Sequence, residues 1–175
     1  MTAEEKNKKE QEIIADLASK NERKIIGALK RIPHEGTPAM IRPMFDLLLD
    51  GVTGEQQLLL DKVLHNLKDK ECRTPLIDLL KEDAYYEVQP AILASIWQSG
   101  LDVQDEVEFL TDVAINGEFM TVLEVVTILE NLELTDTEAI SASIKKLDKA
   151  VEIKSETQEI LVSMRELLLS QLLDD

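Results

Sequence analysis

Cys72 is the only cysteine in this chain of 175 residues, which excludes a disulfide framework and a cysteine-rich metal site. Aromatic residues make up 3% of the chain, too few to build a site that stacks on nucleic-acid bases. Six scattered glycines form no GxGxxG or P-loop cradle for phosphate, and no GxSxG elbow is present. No apolar run approaches the ~20 residues that span a bilayer. Met1 to Glu12 is polar and mixed in charge, without the apolar stretch of a secretory signal. Cations are scarce as well: 19 Lys and Arg stand against 35 Asp and Glu, a net charge of −16. Such a surface repels a phosphate backbone. A soluble, cytoplasmic protein is expected, with neither nucleic acid nor membrane as a partner.

What the chain does have is apolar residues, 44% of the total, spaced for helices. Val103, Val107, Leu110 and Ala114 recur at i, i+4, i+7 and i+11, which forms one stripe at 100° per residue. No segment alternates long enough to suggest a sheet. The spacing predicts ten helices, at about 3–18, 20–32, 37–50, 53–67, 71–82, 84–99, 102–116, 118–132, 136–149 and 155–173. Capping boxes are expected at Ser19 to Glu22, Thr53 to Gln56, Thr135 to Glu138 and Ser155 to Gln158. Thr37-Pro38 marks a helix start, and Gly36, Gly51, Gly100 and Gly117 mark left-handed stops. Joints this short make successive helices antiparallel neighbours.

Part of the chain repeats. Pro43 to Asp50 aligns with Pro75 to Glu82 at an offset of 32, matching Asp46 with Asp78 and Leu47-Leu48 with Leu79-Leu80. Glu55 matches Glu87, and Phe109 to Asp112 echoes the pattern again. A period of 32–34 residues that holds two helices is a mark of an α-solenoid, in which hairpins stack because one alone cannot bury both faces. Met40 to Asp50 resembles the first helix of a HEAT repeat, and Glu55 to Leu67 the second. Thr74 to Asp83 with Glu87 to Trp97 is the nearest match, and the resemblance covers about residues 20–100 well and 101–175 in degraded form. It implies a single all-α domain over 1–175, a HEAT-like α-solenoid of about ten helices in about five hairpins. Residues 1–18 would cap it, 19–132 form the repeats, and 133–175 close it with a hairpin. Gln57 and Gln89 stand where the family often has a ladder arginine. The alternative is an irregular helical bundle.

The resemblance implies protein binding, and residue chemistry gives little support to catalysis. His34, in the turn Pro33 to Gly36, and His65, near a helix end, lack the spacing of a zinc pair. Cys72 has no nearby base and reads as a packing residue. No catalytic residue, cofactor or metal is expected. Residues 101–140 hold 11 acidic groups and no Lys or Arg. That stretch reads as a docking face for a basic protein through Asp102, Asp105, Glu108 and Asp112, as a solubilising surface, or as a weak divalent-ion site. Tyr86, Leu93 and Trp97 fall on one side of the helix 84–99, which is either covered by neighbours or, at Tyr86 and Trp97, a binding hot spot. Leu169, Leu172 and Leu173 either fold back over helix 136–149 or join two copies as a homodimer. The function expected is a non-catalytic interaction or scaffold module. The alternative is a HEAT-like enzyme or enzyme-maturation factor that uses carboxylates in a concave cleft.

Overall fold

A computed structural model describes residues 2–173, and among them every regular element is helical. The chain divides into two compact units, Met1–Ser99 and Gly100–Asp175.

The first unit holds α1 (Ala3–Leu17), α2 (Glu22–Glu35), α3 (Ile41–Asp50), α4 (Gly54–Leu64), α5 (Arg73–Leu80) and α6 (Gln89–Gln98). α1 packs against α2 and α3, α3 against α5, α2 against α4, and α5 against α6. The seam follows from side-chain spacing: Ile41, Met44 and Phe45 of α3 and Leu76 and Leu79 of α5 are wholly buried. The two segments that repeat at an offset of 32 are thus the two helices, α3 and α5, that pack on each other.

Two polar ties join parts of this unit that lie far apart in sequence. Ser99 Oγ donates to Leu64 O (3.1 Å) and accepts from Leu67 N (3.0 Å), which satisfies two groups orphaned at the end of α4. Replacing Ser99 by alanine is expected to cost about 1–2 kcal/mol, read as a lower denaturant midpoint at unchanged slope. The second tie runs from α3 to the segment after α5. Arg42 holds Glu82 with both nitrogens and donates to Tyr85 Oη (2.9 Å), and Tyr85 Oη donates to Asp46 Oδ1 (2.5 Å). The Arg42 guanidinium also lies over the Tyr85 ring, 5.3 Å from its centroid. Gln57 bonds within its own helix, to Asp61 Oδ1 (2.7 Å), and Gln89 is buried with its Oε1 unpartnered.

The second unit holds α7 (Val107–Asn116), α8 (Phe119–Glu130), α9 (Thr137–Ala150) and α10 (Gln158–Leu173). α7 packs on α8 and α9, and α10 packs on α9 and α8, so every helix has two neighbours. Val103, Val107, Leu110 and Ala114 are all buried, as their spacing predicts, against a core that includes Val122, Val125, Leu147 and Met164.

Several local expectations need correction. α2 runs through Pro33 to Glu35 instead of ending at 32, because a proline this close to the end removes little helical bonding, and His34 therefore sits in its last turn. The segment 84–99 is not one α-helix. Asp83–Val88 is a 3-10 helix, and α6 begins at Gln89 with Pro90 in its first turn. The change from three to 3.6 residues per turn takes Tyr86 off the stripe of Leu93: Leu93 is fully buried and Tyr86 is 41% exposed. Only Thr53 with Gln56 forms its expected capping box. Asn21 and Asp136 cap α2 and α9 in place of Ser19 and Thr135. Gln158 reaches back to Val151 O (2.8 Å) instead of closing a box with Ser155. Thr2 with Glu5 forms a box the sequence reading overlooked. Gly51 and Gly100 adopt positive φ, but Gly36 and Gly117 do not. Gly117 is extended, and a Cβ there would come within 2.6 Å of Thr121 Cγ2, so close approach of the next helix requires the glycine.

Candidate interaction surfaces

The four acidic candidates of the second unit, Asp102, Asp105, Glu108 and Asp112, are all exposed. They are not left to repel one another unopposed. Glu108 and Asp112 lie one turn apart on α7, and Lys146 of α9 reaches both, at 3.5 Å and 2.8 Å. The Asp112 hydrogen bond holds the Lys146 ammonium above its ordinary pKa, with Glu108 adding to the effect. Asp102 Oδ1 accepts from Gln104 N (3.1 Å) and so shapes the turn into α7.

The same unit carries an apolar surface that the sequence reading missed. On α8, Phe119 is 53% exposed, Met120 49% and Leu123 37%. At 100° per residue, Phe119, Leu123, Thr127 and Met120 fall within an arc of about 100°. Val122, Val125 and Leu129 occupy the opposite side and are fully buried. Apart from Thr121 and Glu124, the first two turns of the helix are apolar, and only one side meets the core. Glu118 before this patch and Glu130 after it are exposed, and residues 101–140 supply no cation.

In the first unit, Tyr86 is exposed and Trp97 half-buried. α10 buries Leu161, Met164 and Leu168. Leu169 and Leu172 are half-buried, and Leu173 is 82% exposed.

The first unit also contains a cleft of about 360 Å³ between the ends of α2 and α4 and the joints that follow them. His34 and Cys72 both line it; His65 does not, and is the half-buried C-cap of α4. Cys72 is buried, and that burial, with Asp69 and Glu71 nearby, raises its thiol to about 11, opposite to what a nucleophile needs. Asp69 is the cleft's one carboxylate. Among the described residues, no group of three or more His, Cys, Asp and Glu side chains gathers as metal ligands would. Among them, too, no helix is long and apolar enough to cross a membrane.

Compared with family models, with curated proteins and with solved structures, the chain matches none.

Proposed function

We propose that this chain is a non-catalytic, HEAT-like protein-binding module of the cytoplasm, and that α8 docks a basic amphipathic helix of a partner. The observation that carries the reading is the exposure of Phe119, Met120 and Leu123 within a stretch of 40 residues that has 11 acidic groups and no Lys or Arg. Apolar side chains clustered on a surface mark a contact site, and aromatic anchors supply most of the energy at such sites. The surrounding carboxylates choose the partner's charge. The repeat reading draws support from the first unit, where the two echoing segments, α3 and α5, pack side by side and α2 packs on α4. The enzyme alternative calls for convergent carboxylates, and the cleft of the first unit has only Asp69.

The test uses a synthetic helical peptide with Leu at i, i+3, i+4 and i+7 and Lys on the flanks, alongside a control with Glu in place of each Lys. The Lys peptide is expected to bind saturably, and to weaken several-fold between ~0.05 M and ~0.15 M salt. Equal binding of both peptides, or no change with salt, would refute the charge-directed reading. A homodimer through α10 is a second reading, favoured by the exposure of Leu173. A molecular mass by light scattering that stays at one chain across concentrations would exclude it.

A further inference from the structure

We propose that the cleft of the first unit is a binding site for a small organic anion with an apolar body, such as a medium-chain carboxylate. Size is the first argument. About 360 Å³ lies near the lower end of ligand pockets, ~300–1,000 Å³, and is too small for a helix of another protein. The second argument is the division of the lining. Ile32, Ile41, Met44, Val63 and Cys72 are buried and form an apolar inner wall. His34, Lys62, Asn66 and Lys68 are exposed and form a polar rim.

Charge is the third argument. Charge is mixed across this unit: Lys9, Lys24 and Lys30 pair with Glu35, Asp16 and Glu55, while Lys6, Lys8, Lys20 and Lys70 make no ion pair among the described residues. Lys62 and Lys68 line one cleft, and among the described residues neither makes an ion pair. The only carboxylate of the lining, Asp69, turns an oxygen to Glu71 N (2.9 Å) to cap the 3-10 helix Lys70–Cys72. Two ammonium groups at the mouth of an apolar pocket match a ligand whose single negative end stays at the rim while its hydrocarbon enters. The Asn66 amide is fixed beside them by its bond to Lys62 O (3.1 Å).

This site lies wholly in the first unit and does not depend on the docking role of α8. It is tested on the full chain by titrating decanoate, decanol and decylamine and following backbone amide NMR shifts. Decanoate should bind saturably, with shifts concentrated at Gly36, Thr37 and Asn66 to Asp69, and should bind more tightly than decanol and far more tightly than decylamine. The double variant Lys62→Gln with Lys68→Gln, exposed at both positions, should keep its melting temperature and lose about tenfold in decanoate affinity with decanol unchanged. Phe119→Asp should change neither. No saturable shift, decylamine binding as tightly as decanoate, or an unchanged decanoate affinity in the double variant would each overturn the proposal. Decanoate shifts centred on α8 and abolished by Phe119→Asp would overturn it as well.

Discussion

With Phe119 and Leu123 both replaced by aspartate, the basic helical peptide is expected to bind about thirtyfold more weakly or worse, a loss of about 2 kcal/mol. Two effects act in opposite directions, and their sizes decide the sign. Two added carboxylates strengthen the long-range pull on lysines, but exposed charge pairs contribute at most about 1 kcal/mol each and are screened by salt. Removal of the aromatic and aliphatic anchors loses their desolvation outright, and leaves carboxylates to be desolvated against leucines. The apolar loss wins. Stability should hardly move, because both side chains already meet water in the folded protein and substitutions at such positions stay within about 0.5 kcal/mol. An unchanged affinity would remove α8 as the docking face. A collapse of the melting temperature would instead place both residues in the core.

The second large effect concerns the lock between α3 and the segment after α5. Tyr85→Ala is expected to cost about 3–5 kcal/mol, since the ring is buried and its removal leaves a void. Tyr85→Phe keeps the ring and loses only the hydroxyl shared by Arg42 and Asp46, and should cost about 1–2 kcal/mol. Equal costs for both variants would mean that the hydroxyl, rather than the ring, carries the site. The pH dependence has a definite sign. Arg42 holds the Glu82 carboxyl below its ordinary pKa, as Arg31 holds Glu35. A lowered native pKa adds stability above the usual carboxylate range that fades as the pH falls through it. Arg42→Gln should therefore flatten the Glu82 part of the acid limb in unfolding measured from pH 7 to pH 3, and leave the part due to Glu35.

How much of this was readable in advance differs by level. Helix number and type followed from apolar spacing, since Val107, Leu110 and Ala114 give one stripe whatever surrounds them. Boundaries were harder, because a 3-10 turn such as Asp83–Val88 obeys the same punctuation as the start of an α-helix. The acidic stretch was visible, but its neutralisation was not: Lys146 stands 34 residues beyond Asp112, and only the packing of α9 on α7 brings them together. The same limit applies to Ser99 and Tyr85, whose partners lie 32 to 43 residues away. The α8 patch is the opposite case. Its pattern was local, but a helix apolar over most of its circumference gives no hint of which side the core takes. The cleft was beyond reach, because its walls come from three helices and the joints next to them, which only the fold brings together.

One ammonium that serves two carboxylates also sets how this part of the molecule answers to chemical modification. Acetylation of Lys146 would take away one positive charge, yet it would release a pair of anions at i, i+4 spacing, where like charges push a helix apart by a few tenths of a kcal/mol. The face of α7 would then become more negative without any new acidic group being added.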